Sequence, residues 1–418
     1  MEGMSDDIDL SGELARLERL QPVFDSVAAV SAPFAGVYLV GGTVRDILLG
    51  EQSFDVDIAV EGDAIAFARA LAAKLSGRVQ PHETFGTAVV VYGENGRVDV
   101  VTARKEQYDA PGALPRVESA SITDDLFRRD FTVNAMAVLL GGDFGRLVDP
   151  FHGRRDLESR TIRVLHDRSF EDDPTRIFRA VRYENRHGFR MDDHTLALAR
   201  QAIESGLLAA VSPARLRDEL VPLLDEGEVE HAILRLGELE TDRAIHPLLA
   251  SDDEAVALLR RLVELRDRYG LGVPSWRLGL AALARKLSPV EARDWLQRLK
   301  LRRRDAEAIQ AAVATGPRLA EQLSVEREPA EVAALADSNA PDAPLFALAL
   351  ADLPQLHSYF ERLRDVHLEV SGSDLADLGL AESPRVGEVL AELRRRKLNG
   401  ELDGRDSELA AARELIAG

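Results

Sequence analysis

The segment LVGGTVRDILLGEQSFDVDIAV, Leu39 to Val60, constrains the fold more tightly than any other part of the chain. An apolar strand, Val37 to Val40, breaks at Gly41-Gly42. Thr43 to Leu49 then carries Val44, Ile47 and Leu48 at helical spacing and stops at Gly50, where a helix terminator belongs. A second apolar strand, Phe54 to Val60, follows, yet it carries Asp55 and Asp57 on one face, because strand residues two apart project together. Burying two such carboxylates unpaired is costly or forces one of them to protonate. A cation must neutralise them.

The neighbouring residues suggest which one. Paired glycines between a strand and a helix let a phosphate approach the backbone, and the amides and positive end of the helix favour an anion. Arg45 adds a cation one turn in. Carboxylates on one strand face suit Mg²⁺, which prefers oxygen ligands and often completes its shell with substrate phosphates. A third carboxylate, Asp99 in RVDVVTAR, joins them if its strand neighbours the first. In DDLFRRDFTVNAMAV, Asp124 to Val138, the pair Arg128-Arg129 precedes an apolar helix-like run; adjacent arginines can grip triphosphate oxygens in bidentate fashion. Asp130 can cap that helix or orient an arginine, and Asn134 can reach a ribose hydroxyl. Taken singly, each pattern is as readily an ordinary turn, an exposed strand aspartate or a solvated charge cluster.

EDDPTRIFRAVRYENR, Glu171 to Arg186, begins a helix, with Pro174 in its first turn and an aspartate before it as cap. Arg176, Arg179, Arg182 and Arg186 form a basic stripe, while Ile177, Ala180 and Val181 face inward. Asp173 and Arg176, three apart, are neighbours on the helix. A carboxylate accepting from an exocyclic amino group, beside a guanidinium donating to an unprotonated ring nitrogen, matches adenine and cytosine and rejects guanine and uracil. Such contacts discriminate by ~1–3 kcal/mol each, against ~0.5 kcal/mol for a local ion pair.

The remaining pattern fixes the organisation. Ala64 to Leu75 reads as an amphipathic helix, and Thr87 to Tyr92 and Arg97 to Thr102 as strands around Gly93-Glu94-Asn95-Gly96. Residues up to about 150 therefore form a mixed α/β unit. After Thr161 strand signals fade and the pattern is helical, with breaks expected near Glu226-Gly227, Gly316-Pro317 and Ser338 to Pro344. At 418 residues about two to four domains are expected. A chain without cysteine has no disulfide partner and no thiolate metal site, which suits a cytoplasmic location. No apolar run approaches membrane-spanning length, and the acidic start, Met1 to Leu10, is unlike a signal peptide. The formal net charge of −20 argues against nucleic acid except where a basic stripe overrides it.

These segments together resemble the class II tRNA nucleotidyltransferases, the family of CCA-adding enzymes and bacterial poly(A) polymerases. LVGGTVRDILLG, DVDIAV, RRDFTVNAMAV, DPFHGRRDL and DDPTRIFRAVRY occur in that family's order and spacing. The likeness covers residues 39 to 220, including SPARLRDEL, and extends more thinly through VSGSDLADLGL and VGEVLAELRRRKLNGEL. The resemblance implies an α+β protein. Its N-terminal nucleotidyltransferase head, a polymerase-β-like mixed sheet, would occupy residues 1–160. A helical neck (161–225), body (226–340) and tail (341–418) would follow. It implies that Asp55 and Asp57 bind Mg²⁺, with Asp99 as a third catalytic carboxylate. Gly41, Gly42 and Arg45, with Arg128 or Arg129, would hold the triphosphate, and Asp130 and Asn134 would belong to the nucleotide site. Asp173 and Arg176 would template the base, with Arg179 and Arg182 supporting them or the phosphates. In a two-metal scheme the RNA 3′-hydroxyl attacks the α-phosphate and pyrophosphate leaves, with no covalent protein nucleophile. CTP and/or ATP and the tRNA acceptor arm would be the partners, with LRRRD at Leu301 and LRRRK at Leu393 as plausible phosphate contacts.

The segment ARKEQYDAPGALPRVESASIT is where family members differ, and PGALPRVES looks more like A-adding members than full CCA-adding ones. The Gly-Arg-Arg-Phe segment of poly(A) polymerases is not evident near Tyr92 to Thr102, so that activity ranks below tRNA 3′-end synthesis. A non-catalytic RNA-binding module with a degenerate head is the alternative from another class.

Overall fold

The computed structural model describes residues 8–51, 56–109, 112, 115–338, 341–380 and 383–417. The chain divides into two compact units, Met1–Ser212 and Pro213–Gly418.

The first unit is built on a mixed sheet. In chain order its strands are β1 (Gly36–Val40), β2 (Val56–Glu61), β3 (Arg78–His82), β4 (Thr87–Tyr92), β5 (Gly96–Thr102), β6 (Arg104–Gln107), β7 (Arg116–Ser119), β8 (Ala137–Leu139) and β9 (Leu147–Val148). The sheet order is β3-β4-β5-β2-β1-β8-β9, while β6 and β7 form a separate hairpin. Within the sheet β2 and β5 run parallel and the other pairs antiparallel. The helix Ala64–Lys74 starts where the Asp63 carboxylate accepts from the amides of Ile65 and Ala66, and it buries Phe67, Ala68 and Leu71. On one side of the sheet Tyr38, Val40 and Ala59 pack against Ile122, Leu126, Ala135 and Ala137. Asp57, two residues from Ala59, projects to that same side.

The glycine-bounded helix is found as Gly42–Leu49. Gly41 caps it at φ 76°, a conformation only glycine adopts cheaply, and Gly50 closes it in the left-handed region. The expectation for Asp124 to Val138 is corrected. Ile122–Phe127 is the helix, and Arg128-Arg129 follow its end rather than precede a new one. Thr132–Asn134 is a single 3₁₀ turn and Ala137–Leu139 is strand β8. A short apolar run does not separate helix from buried strand by period alone, and here pairing with β1 decides. Among the described residues beyond Thr161 one strand pair survives: Thr161–Ile162 pairs in parallel with Arg190–Met191.

The second unit is helical. The break near Glu226-Gly227 falls between Pro213–Leu224 and Glu230–Glu238. The expected break at Gly316-Pro317 does not occur, because the 20-residue helix Arg303–Gln322 runs through it. Gly316 removes the side chain that would crowd the proline, and it admits a neighbouring helix: a Cβ there would lie 2.9 Å from Phe346 Cδ1. Arg277 and Asp342 form a buried bidentate pair at 2.5–3.0 Å. Helices Pro384–Leu398 and Gly404–Ala417 share a core of Val389, Leu393, Ala411 and Ala412. Among the described residues no helix is long and apolar enough to cross a membrane.

Candidate active site

The register of β2 on β5 sets Asp57 directly beside Asp99. Val56, Ile58, Val98 and Val100 are buried on the opposite face, so both carboxylates project together. Asp57 is exposed, whereas Arg97 grips Asp99 through two 2.8 Å bonds. Asp55 lies outside the described residues. Among the described residues no group of three or more His, Asp and Glu gathers as a metal site.

The glycine turn reaches the same place. A Cβ on Gly41 would sit 2.9 Å from Arg129 Nη1 and 3.9 Å from Asp57 Oδ2. Glycine is thus required there for its backbone angle, and its missing Cβ leaves room for the Arg129 guanidinium. Arg129 Nη2 donates to Asp125 at 2.9 Å, while its buried Nε meets no acceptor, which is costly unless a ligand supplies one.

Two residues that sequence reasoning passes over hold this arginine pair. Asp125 is fully buried and accepts from Arg128 at 2.8 and 3.0 Å as well as from Arg129. Burial pushes its carboxyl up, but the Arg129 and Arg128 cations prevail and hold it below the usual range. Its spacing, three and four positions before the arginines, was the available signal. Glu106, on the β6–β7 hairpin, accepts from Arg128 at 2.9 Å, from Arg104 at 3.0 Å and from the Tyr108 hydroxyl at 2.8 Å. No local pattern announces that contact.

Arg45, Asn134, Asp130 and Arg179 are joined in one hydrogen-bonded chain, buried except at Arg179. Arg45 donates to Asp46 at 2.6 and 2.9 Å and to Asn134 Oδ1 at 2.8 Å. Asn134 Nδ2 donates to Asp130 Oδ1 at 2.9 Å, and Arg179 donates to Asp130 Oδ2 at 2.6 and 2.8 Å. Burial raises the Asp130 carboxyl, but Arg179 and Asn134 outweigh it and hold it at about 2. The Tyr183 ring completes the cluster, with the guanidinium carbons of Arg45, Arg179 and Arg182 within 5.1–5.8 Å of its centroid. This chain fastens the glycine-bounded helix and the 3₁₀ turn to the helix Arg176–His187.

At the start of that helix Arg176 is buried, donating to Ser169 Oγ at 2.7 Å and to the Arg128 carbonyl at 2.7 Å. Asp173 Oδ1 accepts from the Thr175 amide at 3.0 Å and its hydroxyl at 2.6 Å. Pro174 precedes the helix instead of entering its first turn. A cavity of about 390 Å³ opens here, walled by Phe127, Arg128, His166, Asp172 and Arg176, with Tyr108 reaching in from the hairpin region. Burial and the Arg176 cation hold His166 below its ordinary value.

A family model described as the poly A polymerase head domain matches residues 37–163, and one described as a probable RNA and SrmB-binding site of polymerase A matches residues 188–252. The A-adding tRNA nucleotidyltransferase of Geobacter sulfurreducens is 37% identical over 395 residues, covering 91% of this chain. This chain spans less than half of that relative's own length, 45%. The A-adding tRNA nucleotidyltransferase of Halalkalibacterium halodurans is 36% identical over 397 residues, 91% of this chain and 88% of that protein. The Thermotoga maritima CCA-adding enzyme, solved in complex with tRNA, superposes with a TM-score of 0.78 at 30% identity, covering 99% of both chains.

Proposed function

The chain belongs to the tRNA nucleotidyltransferase and poly(A) polymerase family, and on that premise we propose that it adds the terminal adenosine to tRNA ends already carrying two cytidines. ATP is the donor and pyrophosphate leaves. The observation that carries this reading is the convergence of Gly41, Asp57 and Arg129 within a few ångströms, beside Asp99.

Asp57 and Asp99, adjacent carboxylates on one sheet face, offer the oxygen donors a hard divalent cation prefers, Asp99 by exchanging its Arg97 partner, and Asp55 is assigned to the same site from its place in the sequence. Mg²⁺ bound there supplies charge neutralisation at the triphosphate and acidifies the RNA 3′-hydroxyl. The protein does the rest by positioning. The backbone at Gly41-Gly42 admits the phosphates, and Arg129 offers its Nε and Nη1 to their oxygens. Arg128, locked by Asp125 and Glu106, lines the base cavity with Arg176. Asp173 accepts from the adenine amino group and Arg176 donates to the ring nitrogen. Arg45, Asp130, Asn134 and Arg179 position these groups, and Arg182 lies at the edge of the same cluster. The 3′-oxygen forms its bond to the α-phosphorus as the bond to the β-phosphate breaks. Residues 1–160 then serve as head, 161–225 as neck, and 226–340 and 341–418 as the body and tail that hold tRNA.

Restriction to adenosine rests on the PGALPRVES wording, whose last four residues are strand β7, and on the A-adding activity named for both relatives above. Complete CCA addition is the second reading, favoured by the likeness to the Thermotoga maritima enzyme. The test is incorporation of labelled ATP and CTP, with Mg²⁺, into tRNA transcripts ending before CCA, after CC and after CCA. A single AMP added only to the CC-ended transcript is expected. CTP incorporation refutes the restriction, long A tails on any RNA indicate a poly(A) polymerase, and no incorporation indicates a binding module.

A further inference from the structure

The sequence offers two basic runs, LRRRD and LRRRK, of equal appearance. The structure separates them. All four cations of Arg394 to Lys397 are paired within the second unit: with Asp337, with Glu392 twice, and with the buried Glu408. Each of these cations already has a carboxylate partner.

Around Leu301 the pairing is different. Among the described residues the side chains of Lys300, Arg302 and Arg304 make no ion pair or hydrogen bond, although the protein carries a net charge of −20. The carboxylates beside them are already committed, Asp218 to Arg217 and Asp305 to Arg277. Two local rules are broken here as well. Lys300 holds a left-handed backbone, φ 52°, at a helix end where glycine is the ordinary residue. Its carbonyl is pinned there by a 2.7 Å bond from Arg217. Arg302, Arg303 and Arg304 crowd the N-terminus of a 20-residue helix, the end where cations are unfavourable. Folding explains neither choice, and broken local rules are expected where function is served.

Next to these cations lies a cavity of about 480 Å³, a volume ordinary for a small-ligand site. The half-buried Trp276 lines it, with Val221, Pro222 and Leu301 as apolar walls and Lys300 and Arg302 at its margin. An aromatic face beside unpaired cations is how proteins hold a nucleotide without reading its identity.

We propose that this cavity is an RNA subsite, in which one nucleotide's base stacks on Trp276 while Lys300 and Arg302 hold the adjoining phosphates. The proposal rests on tRNA being the substrate. Of the cavity lining, the part contributed by the helix Pro213–Leu224 falls within the segment matched by the RNA-binding family model, whereas Trp276, Lys300 and Arg302 lie outside it.

The protein carries its own probe. It has two tryptophans, and the other, Trp295, is buried at 2% exposure. The full chain is titrated with a CC-ended tRNA transcript, without ATP, while tryptophan fluorescence and filter binding are followed. The expected result is saturable quenching that disappears in Trp276→Phe, with affinity little changed because a ring remains. Trp276→Ala weakens binding by about 5- to 150-fold. The surface variant Lys300→Ala/Arg302→Ala, which threatens no buried contact, lowers the salt-dependence slope by about 1 for each phosphate no longer held. Quenching that persists in Trp276→Phe, or parental affinity and slope in the double variant, overturns the proposal and leaves the patch to a partner other than RNA. Failure of the parent chain to bind tRNA at all overturns the functional reading beneath it, which is a distinguishable outcome.

Discussion

Replacing Asp130 by asparagine tests whether the buried chain from Arg45 to Arg179 holds the site together. Asp130 Oδ1 accepts from the Phe131 amide and Asn134, and Oδ2 accepts twice from Arg179. An amide can keep one side only; its NH₂ then faces donors on the other. A carboxyl of ordinary value near 3.8, held at about 2, contributes ~2.5 kcal/mol at neutral pH. Arg179 is 31% exposed, so solvent screening trims this to about 2 kcal/mol. The sign follows from the lowered value: the contribution is complete above about pH 4 and is lost as pH falls toward 2. Asp130→Asn should therefore lose about 2 kcal/mol at pH 7 and show a flatter acid limb, since nothing remains to titrate. Hydrogen exchange of the Arg176–His187 amides in urea measures it. Both tryptophans lie in the second unit, so their fluorescence reports an unaffected control. Asp143→Asn, at a 3.8 Å exposed pair, should cost under ~0.5 kcal/mol. An Asp130→Asn protein as stable as the Asp143→Asn control, with the parental acid limb, refutes the reasoning.

Other perturbations have equally definite outcomes. Gly316→Ala should destabilise the second unit by ~1–3 kcal/mol, read by Trp295 fluorescence in urea, because its Cβ meets Phe346 at 2.9 Å. Glu408→Gln should cost the C-terminal helices about 2–3 kcal/mol, measured by hydrogen exchange of Gly404–Ala417, since the carboxylate accepts from Lys397 and from the amides of Glu369 and Val370. Glu106→Ala should raise the KM for ATP by about tenfold, because Arg128 then loses one of the two carboxylates that fix it and, through its carbonyl, Arg176.

Strand–glycine–helix–strand was legible because its signals are local: Gly41 and Gly50 stand where their backbone angles demand them. Asp99 was read from its own strand only as a carboxylate that joins the others if that strand neighbours the first. Asp57 and Asp99 becoming neighbours required the pairing of β2 with β5, which no local pattern states. For the same reason Arg45 and Asn134, 89 positions apart, read as separate ligand contacts although they bond to each other. Asp125 and Glu106 escaped notice because an acid is read for what it could bind, while these two act by holding arginines. The apolar run after Asp130 was misassigned because it is too short for its period to discriminate, and Gly316-Pro317 because a packing requirement overrode a breaker signal.

The most direct measurement is the rate of AMP transfer from ATP to a CC-ended tRNA transcript, with Mg²⁺, by Asp57→Ala. Asp57 is exposed, and urea unfolding of the variant beside the parent separates lost chemistry from lost folding. Transfer should fall by about 100-fold or more. A well-folded Asp57→Ala protein that extends the RNA at the parental rate contradicts the account.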